Sequence, residues 1–261
     1  MFNFPYKKKK LGLALSGGSV RGYAHLGILK VIEEHNIKVD YIAGTSVGAI
    51  LGALYAQGMS VKEIISITTK IKWRNILKLP LNISGVSSSE TIEKMIKRFI
   101  KHDSFDNLAI PLVVVASDIA AAQKKIINTG SLSFAIRVSS SFPGIYSPVK
   151  LGDQLLCDGG VFCNLPVDEA KDMGADIVVG INVLPECQLP LEEYNMLDIM
   201  DRSIDLLIKQ QPLSKNCNLQ ICPIKTQIGS LDIDKKHDLI DMGVKAANEE
   251  LLPFLKHHLL I

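Results

Sequence analysis

An α/β fold built on a mostly parallel sheet is predicted by three features of the sequence. Short apolar runs end in glycine, stretches with apolar residues at helical spacing follow them, and the joints between the two are short. Leu11 to Ser16 is the first such run and reads as a buried strand. Arg21 to His35 follows as a helix, with Leu26, Leu29 and Ile32 on one face. Val39 to Ala43, closed by Gly44, is the second strand, and the almost wholly apolar Val47 to Gln57 is a core helix. Strand, helix, strand, helix with short joints implies right-handed crossovers and parallel pairing. Ser60 and Glu63 form a capping box for the next helix, with Met59 and Ile64 at the staple positions. Ile92, Met95, Ile96, Phe99 and Ile100 make an amphipathic stripe behind a second Ser87/Glu90 box. Pro111 to Ser117 reads as a strand, Lys125 to Asn128 as its partner, and Asp176 to Val183 as a further buried strand. His237 to Leu255 reads as a helix on the sheet edge, and Leu79 to Ser89 as a loop.

Hydrophobic residues make up 47% of the 261 residues, enough for a large core, and no repeat or low-complexity linker divides them. Residues 1–261 therefore read as a single domain, with 1–10 as a basic N-terminal arm. The 29 Lys and Arg against 27 Asp and Glu leave a formal charge of +2, and no basic stripe is interleaved with aromatics, which argues against nucleic acid. Lys7 to Lys10 read as a solvated arm ahead of the first strand, with attraction to anionic head groups as the alternative. The apolar run behind them is too short for a signal peptide. The longest apolar stretch, Tyr41 to Gly58, is too rich in small and hydroxyl residues for a membrane span. Cysteines 157, 163, 187, 217 and 222 are odd in number and contain no Cys-x-x-Cys pair. They read as free thiols in a reducing compartment, with no zinc spacing. The expected location is cytoplasmic, with the inner membrane surface as the site of any peripheral contact.

Three loops carry the chemistry. Ser16-Gly17-Gly18-Ser19-Val20-Arg21-Gly22 joins the first strand to the first helix, and its glycines allow backbone N–H groups to face an anion at a helix start. Gly17 and Gly22 have phosphate-loop spacing, but Tyr23 and Ala24 stand where Lys and Ser/Thr belong. Ser19 also breaks the dinucleotide fingerprint, so a nucleotide is disfavoured and a developing oxyanion fits better. Gly44-Thr45-Ser46-Val47-Gly48 puts a serine on a sharp strand-to-helix turn, its hydroxyl raised above the sheet. A tight turn with Ser46 merely capping the helix is the competing reading. Adjacent parallel strands would bring both loops to one sheet edge, where ligands bind. Cys157-Asp158-Gly159-Gly160 is an ordinary turn when taken alone. A serine nucleophile needs a base, and an Asp in an apolar, glycine-flanked loop has its pKa raised toward that use.

With the three loops in order, the sequence resembles the patatin-like phospholipase family in its bacterial single-domain form. The resemblance lies in Leu13-Ala-Leu-Ser-Gly-Gly-Ser-Val-Arg-Gly-Tyr-Ala-His-Leu-Gly27, in Gly44-Thr-Ser-Val-Gly48 and in Asp158-Gly-Gly-Val-Phe-Cys-Asn-Leu-Pro-Val167. A fourth stretch, Ser139-Ser-Ser-Phe-Pro-Gly-Ile-Tyr-Ser-Pro-Val149, adds to it, and the four together span roughly residues 11–183. The resemblance implies a three-layer α/β/α fold and hydrolysis of phospholipid, lysophospholipid or other lipid acyl esters. It implies a Ser46–Asp158 dyad without histidine, an acyl-enzyme, an oxyanion hole from the Gly17, Gly18 and Ser19 amides, and no metal or cofactor. Arg21 is expected to brace the glycine loop or add positive potential, and Gly44, Gly48, Gly159 and Gly160 to support the turns. Two positions depart from the family. Ser19 replaces a glycine, which strains the backbone if φ there is positive, and Cys163 stands where asparagine is common.

Six histidines raise the question of a triad. Ser46, Asp158 and His237 follow the α/β-hydrolase order, but His237 lies in a charged stretch and reads as a surface residue. His25 reads as a structural side chain near the site, and His257 and His258 as tail residues. Lys72 to Leu81, with the single Trp73, reads equally as a membrane-facing lid or as an ordinary surface segment. A generic carboxylesterase or thioesterase with the same dyad is the alternative enzyme. A non-catalytic regulatory protein, which Ser19 favours, is the alternative class.

Overall fold

The computed structural model describes residues 8–70, 87–185, 196–226, 228–230 and 232–259. Its eight strands are β1 Leu11–Leu15, β2 Tyr41–Thr45, β3 Leu112–Asp118, β4 Gln123–Ile127, β5 Val149–Leu151, β6 Gln154–Asp158, β7 Ile177–Ile181 and β8 Leu219–Ile221. They form one sheet in the order β5-β6-β3-β2-β1-β7-β8, with β4 on β3. The β1–β2, β1–β7, β2–β3 and β7–β8 pairs are parallel, and those involving β4, β5 and β6 are antiparallel.

The helices are α1 Tyr23–Glu34, α2 Val47–Ala56, α3 Val61–Lys70, α4 Glu90–Ile96, α5 Leu132–Ser139, α6 Val167–Asp172, α7 Met196–Lys209, α8 Lys236–Ala246 and α9 Leu252–Leu259. Period-two alternation in the strands sorts them into layers. Leu11, Leu13, Leu15, Ile42, Ile177, Val179 and Ile181 face the large core shared with α1, α2, α3 and α8. Ala14, Ala43 and Val178 face the other way, onto Val167 and Ala170 of α6. The small side chains on that face let a short helix lie close, and the result is the three-layer α/β/α arrangement.

The Ser60/Glu63 capping box is formed, each residue's backbone N–H bonded by the other's side chain. Three local expectations are corrected. Ser87 does not cap a helix; it bridges to Tyr146 and exchanges backbone hydrogen bonds with Ile145 and Ser147, and the Ser88 hydroxyl meets the Glu90 N–H instead. That helix stops at Ile96, so Phe99 and Ile100 reach the core from beyond its end. The C-terminal helix packs mainly on α1, not on the sheet edge. A Cβ at Gly27 would overlap the Ile240 carbonyl and one at Gly243 the Ala24 carbonyl, so glycine on both helices permits backbone contact there.

Cys157, Cys163 and Cys217 are free thiols, and burial pushes Cys157 and Cys163 up to about 12. Of the basic arm, Lys8, Lys9 and Lys10 are exposed, and Lys10 hydrogen-bonds Tyr41 at 3.0 Å beside the start of β1. The Lys72–Leu81 segment, Cys187 and most of the Leu79–Ser89 loop lie outside the described residues. Among the described residues no helix is long and apolar enough to cross a membrane.

Candidate active site

The pairing of β3 brings two distant loops together. β2 occupies β3 at residues 112–115 and β6 at residues 116–118, while β4 spans 114–118 and so must hold the opposite edge. β2 and β6 therefore share one edge and run toward each other. Thr45 lies opposite Val115 and Asp158 opposite Ala116, neighbouring residues of β3. Both strands end at this point, so Ser46 and Asp158 emerge side by side although they lie far apart in the chain.

Ser46 sits at φ 53°, ψ −122°, a positive-φ conformation that a serine adopts only under constraint. The constraint is tight packing around the turn. A Cβ at Gly48 would strike the Leu15 carbonyl, and one at Gly44 would come within 2.7 Å of the Ala49 backbone. The Ser46 N–H is held by Ser139 Oγ at 2.8 Å, which in turn donates to the Val115 carbonyl at 2.6 Å. Ser46 is half-buried and opens α2, so the helix N-terminus lies behind it.

Asp158 has an ordinary backbone, φ −50° and ψ 134°, but is only 4% exposed. Its Oδ1 accepts the Gly160 N–H at 2.8 Å, and its Oδ2 has no completed hydrogen bond among the described residues. Burial pushes the carboxyl up to about 6, against a downward pull from the Ser46 hydroxyl and the Gly160 N–H. Gly159 fits beneath because a side chain would collide with the Val115 carbonyl.

The glycine loop lies against this pair: a Cβ at Gly17 would stand 3.2 Å from Ser46 Cβ. Gly18 has φ 156° and Ser19 φ 54°, so the serine carries the positive φ anticipated for it. Of the loop amides, Gly17 donates to the Asn164 carbonyl at 3.3 Å and Val20 to the Ser230 carbonyl at 3.2 Å. The Gly18 and Ser19 N–H groups have no acceptor among the described residues. Arg21, 2% exposed, donates from Nε to the Ile228 carbonyl and from Nη1 to Asp205 at 2.8 Å, bracing the loop against α7. His25 is fully buried. Its Nε2 meets the Ser16 carbonyl at 2.9 Å, an acceptor, so the proton sits on Nε2, and burial lowers its pKa to about 4. It is a neutral clamp on the loop. His237 lies at the start of α8, outside the site.

Three residues of the site carried no assigned role in the sequence. Ser139 stood in a quoted serine run, and Asn164, buried between Gly17 and Gly160, in the Asp158 motif. Gln211 gave no signal. Its side chain accepts from the Asn164 N–H at 2.9 Å and donates to the Gly160 carbonyl at 2.9 Å. An apolar pocket beside Ser19 is lined by Val47, Ile50, Leu54, Met95 and Phe99. Among the described residues no group of His, Cys, Asp and Glu is placed to hold a metal.

A strained serine on a strand-to-helix turn over a mostly parallel sheet gives an α/β protein the backbone geometry of a nucleophile elbow. The family model for patatin-like phospholipases matches residues 13–171, more than half of the chain, and the chain belongs to that family. Patatin-like phospholipase domain-containing protein 7 of Rattus norvegicus is 34% identical over 194 residues, 70% of this chain and 14% of that protein. An uncharacterized NTE family protein of Mycobacterium bovis is 30% identical over 177 residues, 67% of this chain and 49% of its own length. The chain thus spans half or less of these relatives. In fold it resembles VipD of Legionella pneumophila, with a TM-score of 0.62 at 11% identity over 93% of this chain and 67% of that one. It also resembles human GIVD cytosolic phospholipase A2, with a TM-score of 0.53 at 11% identity over 97% and 60%.

Proposed function

We propose that the chain hydrolyses lipid acyl esters through Ser46 and Asp158. The observation that carries this reading is the strained Ser46 beside a desolvated carboxylate whose Oδ2 is unsatisfied. With a pKa near 6, Asp158 is ionised at neutral pH yet basic enough to accept a proton. Ser46 Oγ attacks the acyl carbon as its proton passes to Asp158. The oxyanion is held by the Gly18 and Ser19 N–H groups, with Gly17 contributing by its small size. Collapse expels the alcohol, which takes the proton from Asp158 and leaves an acyl-serine. Water then attacks, giving its proton to Asp158, and the acid departs as Ser46 Oγ is reprotonated.

The apolar side chains lining the pocket beside Ser19 and Val47 match an acyl chain in chemistry, which favours lipid esters over small polar ones. The test uses a fluorophosphonate probe with intact-mass readout on wild type, Ser46→Ala and Asp158→Asn. Turnover of a short p-nitrophenyl ester and of a lysophospholipid is measured beside it. Single labelling lost in Ser46→Ala, with turnover lost in both variants, is the expected result. A folded wild type that neither labels nor turns over either ester would favour the non-catalytic reading.

A further inference from the structure

Most large hydrophobic side chains left in solvent among the described residues collect at one place. Ile199, Leu206 and Leu207 lie on α7, Val161 and Phe162 on the turn after Asp158, and Leu213 just beyond α7. Leu207 is 69% exposed and Leu213 50%. An ordinary surface helix turns its apolar stripe inward; α7 turns a mixed face to the protein body, with Met200 against Gly144, and leaves further aliphatic side chains outside. Asp205 meets Arg21, Asp201 accepts from Ser230 at 2.6 Å, and Ile208 covers Gly160. Two turns apart, Ile199 and Leu206 fall on one outward line with Leu207 beside it. Arg202 and Lys209 flank that line on the helix.

We propose that α7 and the Val161–Phe162 turn form a docking face for a lipid surface bearing anionic head groups. The inference rests on the lipid-ester reading above and names where the substrate phase sits. The face is continuous with the site: Gln211, at the end of α7, is bonded to the Gly160 and Val161 carbonyls of the turn that begins at Asp158. The outward face combines aliphatic and basic side chains, with the Asp201 and Asp205 carboxylates engaged by the protein. That is the composition that binds an anionic interface.

The test is co-sedimentation of the whole protein with phosphatidylcholine vesicles containing phosphatidylglycerol, beside turnover of a soluble p-nitrophenyl ester. The double variant Leu206→Asp/Leu207→Asp should lower vesicle partitioning roughly tenfold or more and leave soluble-ester turnover near wild type. Leu151→Asp, at an exposed apolar position on β5, should change neither. Unchanged partitioning of the double variant would overturn the proposal. So would unchanged partitioning together with conversion of a dimer to monomer, which would make the face a contact between copies. Wild type that binds vesicles through these leucines but hydrolyses no ester would instead sink the catalytic reading and leave the docking face standing.

Discussion

Ser46 and Asp158 occupy neighbouring positions on one sheet edge and are prepared in opposite ways. The serine is set by its backbone: a φ of 53° enforced by Gly44, Gly48 and the Ser139 hydrogen bond. The aspartate has a relaxed backbone and is set by its surroundings, which remove water and leave one oxygen unpaired. In the proposed mechanism, geometry for the nucleophile and desolvation for the base are separable. A change at either turn should therefore leave a different signature.

The largest effect is expected at the base. Asp158→Asn should lower kcat by about 10²–10⁴-fold. In the wild type, kcat/KM should rise with pH through about 6 and level off above it, because only the ionised carboxylate accepts a proton. A profile flat from pH 5 to pH 8 would remove Asp158 from that role. The stability consequence has the opposite direction. The folded pKa is raised from 3.8 to about 6, so this group's contribution is fully present below 3.8 and is lost as pH rises through 6, a change of about 3 kcal/mol. His25 opposes it. Its pKa falls from 6.5 to about 4, the unfolded chain binds the extra proton between those values, and stability rises with pH across that window by a similar amount. The two nearly cancel in the wild type. Asp158→Asn should uncover the histidine slope, seen as denaturation midpoints that climb from pH 4 to pH 6.5.

Next comes the elbow. Gly48→Ala forces a methyl into the Leu15 carbonyl and should destabilise the fold by more than about 2 kcal/mol. Urea midpoints within error of wild type would show that the turn is looser than its packing implies. Ser139→Ala removes the acceptor of the Ser46 N–H and the donor to Val115, which should cost about 1–3 kcal/mol and slow fluorophosphonate labelling. Lost stability with an unchanged labelling rate would mean that the serine holds its geometry without that bond. The smallest effect is at the glycine loop. Ser19→Gly relieves a side chain from positive φ and should add about 1 kcal/mol without lowering turnover, read from urea midpoints and ester kinetics.

The parts of this design that were legible in the sequence are the local ones. The apolar runs at Leu11, Val39 and Asp176 became β1, β2 and β7, and the Ser60/Glu63 box formed because capping depends on residues three apart. Gly44-Thr45-Ser46-Val47-Gly48 predicted the elbow because small residues on both sides of a serine are what that turn requires. The Ser87/Glu90 box had the same pattern and failed, since a backbone bridge to Tyr146 claimed Ser87 first. The strand β6, the helix α7 and the roles of Ser139 and Gln211 were not visible, because each takes its meaning from a partner far along the chain.

By itself, the sequence determined the alternation of elements and the small-residue turn that carries Ser46, both consequences of side-chain size and spacing within a few residues. Only the tertiary structure decided that Asp158 would be the neighbour of Ser46 and that its carboxylate would be dry. The physical reason is that β3 passes one edge from β2 to β6 between Val115 and Ala116. Which strands share an edge is a choice among long-range pairings that no local periodicity encodes.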